Sequence, residues 1–162
     1  MHELAECSWQ QPGGVEAAQR IAAFLQNIGI PVEVGSDLGP TFLTGLALKR
    51  GTIQIDRDVP AYPGDLLHEA GHIAVMEEAE RASSEQPPVD GGSEMAAIVW
   101  SVAAAQACGI GLDVLFHDHG YKGEAAWLRE QFAAGVPFGL PLLVWMGMTS
   151  NDTFPTMHRW LR

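Results

Sequence analysis

Residues 65–77 read Asp65-Leu66-Leu67-His68-Glu69-Ala70-Gly71-His72-Ile73-Ala74-Val75-Met76-Glu77, and every other segment is best placed relative to them. Within the stretch, His68-Glu69-Ala70-Gly71-His72 is an HExxH motif. On a helix, residues four apart share a face, so the His68 and His72 Cβ atoms stand roughly 5–6 Å apart. Two imidazoles one turn apart can hold one zinc ion, at about 2.0–2.1 Å each. Glu69 is the next residue round the helix. Its carboxylate can reach a water on the open side of that metal, as a general base and not as a ligand. The flanking residues favour a helix. Pro63 suits the first turn, where its missing N–H costs nothing. Asp65 falls near the positive end of the helix dipole. Leu66, Leu67, Ile73, Val75 and Met76 form an apolar side. The competing reading is a buried helix with two incidental histidines and a solvated glutamate.

Upstream, Thr52 to Asp56 alternates as a half-buried strand should. With Phe42–Leu48 and the Lys49-Arg50-Gly51 turn, it reads as a β-hairpin leading into the motif helix. Gly14–Asn27 carries apolar residues at helix spacing and stops at Gly29, and Ile30–Val34 reads as a short strand. Residues 1–13 read as a loosely docked lead. Downstream, Arg81–Gly92 reads as a loop rich in Ser, Pro and Gly. Ser93 is the expected N-cap of a second helix over Glu94–Cys108. Leu112–Phe116 suggests another turn and His117–Tyr121 a polar loop. Lys122–Ala134 reads as a third helix, and a last one starts near Pro141. The fold class expected is α+β, in a single domain spanning 1–162.

A catalytic zinc ordinarily has three protein ligands and an open position. Glu94 is the first choice for the third. It would open the second helix, whose stripe of Ala97, Ile98, Ser101 and Ala105 is small enough for close approach to the first. His117, His119 and Asp152 are the alternatives. Glu77 and Glu78 read as a solvated face.

The 162 residues hold 9 basic and 20 acidic side chains, a formal net charge of −11. That balance argues against a nucleic-acid surface, which needs clustered Lys and Arg. The 2 cysteines, Cys7 and Cys108, form no disulfide framework or CxxC pattern, so a reducing, cytoplasmic setting is expected. The first residues lack a basic region followed by an apolar one, as a signal peptide would have. Met95–Leu112, the most apolar stretch, is alanine-rich and interrupted by Ser101, Gln106, Gly109 and Gly111. It reads as a buried helix and not as a membrane span.

His68, Glu69, His72 and Glu94, preceded by the Thr52–Asp56 strand, resemble the zincin metallopeptidases, and among them the compact gluzincins. The resemblance covers roughly residues 42–108. It implies a small zincin-like domain in which the HExxH helix lies against a following glutamate helix, with a β-sheet edge above the cleft. The form HEAGH also resembles the motif of membrane-anchored AAA proteases, whose third ligand is a distant aspartate; Asp152 would match it. The gluzincin resemblance implies Zn2+ held by His68, His72 and Glu94. It also implies Glu69 as general base and a peptide or protein substrate. A donor for the developing oxyanion is then needed, and His117 and Tyr121 in the polar loop are the candidates. Two other functions fit the same residues: a non-catalytic zinc-binding or regulatory protein, or a zinc hydrolase of a non-peptide amide or ester.

Overall fold

The computed structural model describes residues 2–162, and among them it is a mixed α+β arrangement of eight α-helices and one three-stranded sheet. The lead is more firmly held than its sequence suggests. Helix α1 (His2–Glu6) buries Leu4, and the Trp9 indole N–H donates to the Leu4 carbonyl at 2.8 Å. Trp9 also bridges to Ala61 in parallel, just before the motif helix. Met1 lies outside the described residues.

Helix α2 (Gly14–Ile28) buries Ala17, Ala18, Ile21, Ala22 and Leu25 along one side. Gly29 ends it in the left-handed region at φ 97°, a conformation that costs glycine nothing. Strand β1 (Val32–Gly35) follows. The expected hairpin forms from β2 (Leu46–Lys49) and β3 (Thr52–Asp56). Arg50 and Gly51 both have positive φ, at 49° and 80°. That is the backbone of a two-residue turn matched to strand twist. Phe42–Gly45, expected to belong to the first strand, instead approaches it as a loop. Strand order is β1-β3-β2, with β1 parallel and β2 antiparallel to the central β3. Strand β2 is therefore an edge. Leu46, Leu48, Ile53 and Ile55 point into the core.

Helix α3 (Pro63–Val75) carries the motif and is buried at all thirteen positions. It was expected to show one apolar side; it is covered all round by α2, α5, the short α6 (Leu112–Leu115) and the sheet. Two glycines make that possible. A Cβ on Gly64 would collide with the Val114 carbonyl of α6. A Cβ on Gly71 would lie 2.5 Å from the Ala97 carbonyl oxygen. Beyond α3 the chain turns into α4 (Glu78–Ser83), so the expected loop shortens to residues 84–90.

Helix α5 (Gly91–Cys108) starts earlier than its sequence suggested. Asp90 is the N-cap, accepting from the Ser93 N–H at 2.8 Å, and Ser93 sits two residues inside the helix. The shift has a local cause. Asp, like Ser, caps well, and the aspartate is free of helical φ/ψ at that point. The expected helix from Lys122 starts later, for a different reason. Tyr121 and Lys122 are left-handed, and α7 runs over Ala125–Ala133. Helix α8 spans Leu140–Trp145.

The C-terminal residues close over the far end of α3. The Arg162 N–H donates to Ala74 O at 2.9 Å, and the Arg81 guanidinium reaches Ile73 O, Met76 O and Arg162 O. These bonds satisfy carbonyls that a helix terminus leaves without partners. No helix among the described residues is long and apolar enough to cross a membrane.

The close approach at Gly71 gives a first prediction. On an exposed helix Gly→Ala would stabilise by about 1 kcal/mol. Here the new methyl meets backbone, which cannot swing aside, and overpacking costs typically 1–3 kcal/mol or more. Gly71→Ala is therefore expected to lower the midpoint of chemical denaturation. An unchanged or raised midpoint would show that α3 and α5 are free to separate.

Candidate metal centre

Packing of α3 against α5 brings His68, His72 and Glu94 to one point. Glu94 leans across from the first turn of α5, so its carboxylate faces both imidazoles. Its Oε1 lies 2.8 Å from His68 Nε2, and its Oε2 lies 2.9 Å from His72 Nε2. One ligand atom from each of the three lies within 4.8 Å of the others. Of the four residues considered for the third position, only Glu94 joins the pair. Asp152 is in an exposed turn, and His119 lies on the rim of the cleft.

The donor set fits a metal ion. His72 is 1% exposed, and neither of its ring nitrogens makes a hydrogen bond. The Glu94 oxygen is close enough to Nε2 but lies off the line of a ring N–H. Buried polar atoms without partners are costly. An ion shared by three such ligand atoms would satisfy the imidazole and the carboxylate together. Burial alone would raise the Glu94 pKa, but the two imidazoles outweigh it and hold the carboxyl well below the usual carboxylate range. Glu94 is thus an anion ready to serve as a ligand.

Glu69, the residue after His68, is buried beside the trio. It is 1% exposed, and both carboxylate oxygens lack hydrogen-bond partners. Burial pushes its pKa up from 4.5 to about 7, partly opposed by His72 and reinforced by Asp65 and Glu94. In the metal-free protein this has a consequence for stability. A carboxyl whose folded pKa is raised stabilises the fold fully below the unfolded value near 4.5, and loses that contribution as pH rises through about 7. At about 1.4 kcal/mol per pKa unit, the loss is on the order of 3 kcal/mol. Denaturation of the metal-free protein across this range should show the fall, and Glu69→Gln should flatten it. A parallel decline in both proteins would assign the effect elsewhere. A bound dication would favour the ionised form and move the transition to lower pH.

The polar loop is divided by the structure. Tyr121 lines the cleft and stacks on His68, with ring centroids 4.8 Å apart and planes 7° from parallel. Its hydroxyl is buried without a bonded partner, and the neighbouring Ser101 hydroxyl donates to Ile98 O. Burial pushes the Tyr121 pKa well above 10, so the phenol keeps its proton as a donor. His117 does not line the cleft. It is buried behind it, its Nε2 bound to Asp65 Oδ1 at 2.7 Å. His117 meets the cleft through the residues that line it, bonded to Asp65 and stacked on Tyr62, and its own ring is not part of the lining.

Asp65 was read from sequence only as a charge suited to a helix N-terminus. The structure makes it a buried carboxylate on the cleft wall. A signal was present: Asp65, His68, Glu69 and His72 follow i, i+3, i+4, i+7 spacing on one face. The cleft itself is about 640 Å³. Phe42, Leu43, Thr44, Pro88 and Val89 contribute to its lining.

No family model matches the chain, and no curated protein or solved structure matches it either.

Proposed function

We propose that the chain is a zinc-dependent metallopeptidase of compact zincin type. The observation that carries this reading is a carboxylate against two imidazoles beside a second, buried carboxylate with no partner: Glu94 at 2.8 and 2.9 Å from His68 and His72, next to Glu69. Two nitrogens and one oxygen suit zinc, which supplies Lewis acidity, acidifying water and polarising a carbonyl. His68, His72 and Glu94 would hold it.

The chain's own groups then divide the remaining work. Glu69 accepts a proton from the attacking water and returns it to the leaving amine. Burial raises the Glu69 pKa and a bound dication would lower it again, so the carboxylate is ionised to take the proton and its burial favours holding it until transfer. Tyr121, kept protonated by its burial, stacks on His68 and carries a phenol O–H that no protein group takes up, so it is the candidate donor to a developing oxyanion. Its ring also holds the His68 imidazole in place. The segment 42–44 leads from the cleft into the edge strand β2, where an extended substrate can add backbone hydrogen bonds.

The test is turnover by the zinc-loaded protein of casein, short peptides and small esters. Peptide cleavage that stops on chelation and returns with zinc supports the reading. Ester turnover without any peptide cleavage would move the protein to the non-peptide hydrolases. Zinc binding with no turnover of either would make it a zinc-binding or regulatory protein.

A further inference from the structure

A second carboxylate stands in the cleft that the zinc chemistry does not use. Asp65 is 5% exposed and yet lines the cleft. Its Oδ1 is fixed by His117 Nε2 at 2.7 Å. The His117 ring is held in turn by the face of Tyr62, 3.9 Å between centroids and 7° from parallel. One carboxylate oxygen is thus anchored by His117, and no protein hydrogen bond is made to the other. Asp65 lies one helical turn before His68, so its Cβ is roughly 5–6 Å from that of the ligand. His117 satisfies one oxygen only, and a carboxylate buried this far is costly while its remaining lone pairs lack a donor. Around it, Asp90 and Glu124 line the cleft against the single cation Lys122. Phe42 and Val89, at 65% and 96% exposure, make the mouth apolar.

We propose that Asp65 is the specificity residue of this cleft, taking a cationic nitrogen group of the substrate next to the bond to be cleaved. His117 and Tyr62 are positioning residues that aim its free oxygen. The inference rests on the peptidase reading for the kind of substrate, though not for the binding itself. The cation is either the amino terminus of a peptide or a Lys or Arg side chain, and both present the same charged hydrogen-bond donor.

Binding is measured on zinc-loaded Glu69→Gln, which removes turnover. The probes are dye-labelled peptides differing at one position (Lys, norleucine or Glu), each with a free or an acetylated amino terminus. Fluorescence anisotropy is expected to show a cationic peptide bound at least about tenfold more tightly than its neutral counterpart, as one good charged contact supplies. The preference should persist in about 0.5 M salt, because a buried charge is screened little, whereas diffuse attraction to a net-negative surface would vanish. Adding Asp65→Asn, which keeps an acceptor for His117, should abolish it. If acetylation removes the preference, the group is the α-ammonium; if lysine carries it, the group is a side chain. Equal binding of all peptides by the Asp65-containing protein, a panel that needs no further variant, overturns the inference. So does a preference that survives Asp65→Asn. Turnover of the same peptides by wild type is followed in parallel. Charge-selective binding without hydrolysis overturns the peptidase reading and leaves the Asp65 anchor standing. Hydrolysis without charge preference does the reverse.

Discussion

Glu69→Gln is expected to reduce peptide turnover by roughly 10²–10⁴-fold, the usual contribution of a positioned general acid–base group, while zinc content stays as in wild type. Glutamine keeps the shape of the side chain and removes only its capacity to take a proton. Because neither Glu69 oxygen bonds another protein group, no network has to be rebuilt. The residue is also no member of the trio that brings ligand atoms together, so metal affinity should not depend on it. Turnover with zinc-loaded protein and metal content by mass spectrometry check the two halves separately. Near-wild-type activity in Glu69→Gln would remove the general base and with it the proposed mechanism. A loss of zinc would make Glu69 a ligand.

Glu94→Ala is expected to weaken zinc binding by more than about 100-fold, since even residues that only orient metal ligands are worth 10–100-fold. Glu94 bridges both imidazoles, and no other carboxylate of the described residues joins the cluster. Two histidines alone would leave the ion half coordinated. The change is also informative for folding. Removing an anion from two buried histidines leaves His68 and His72 without their partner, so the metal-free variant should not gain stability. Competition with a chromogenic chelator gives the affinity. Wild-type affinity in Glu94→Ala would return the third position to another residue and would disconnect α5 from the site.

The local features were legible because they depend on short-range periodicity. The i, i+4 spacing of His68 and His72 fixes their common face whatever surrounds the helix. The Arg50-Gly51 turn was legible for a similar reason, since a two-residue connection needs a left-handed backbone. Helix starts were less legible. Asp90 and Ser93 are both good caps, and sequence cannot rank two candidates three residues apart. Tyr121 and Lys122 adopt positive φ, which their residue types do not announce, and so the start of α7 was misplaced.

His117 shows where sequence reasoning ends. As part of a polar loop, it was a reasonable donor for the cleft. Asp65, 52 residues earlier, takes its Nε2 instead. No local rule links the two, because the link exists only once α6 packs against the start of α3 through Gly64. The parallel pairing of β1 with β3 is of the same kind.

The sequence by itself determined the motif face, the hairpin, the α+β class and the set of candidate third ligands, all set by backbone geometry over a few residues. The tertiary structure alone decided that Glu94 meets both histidines, that Glu69 is stripped of partners, and that Asp65 is buried beside the cleft. Each of those depends on which helices touch and how closely. At Gly71 and Ala97 that distance is set by the absence of a single methyl group.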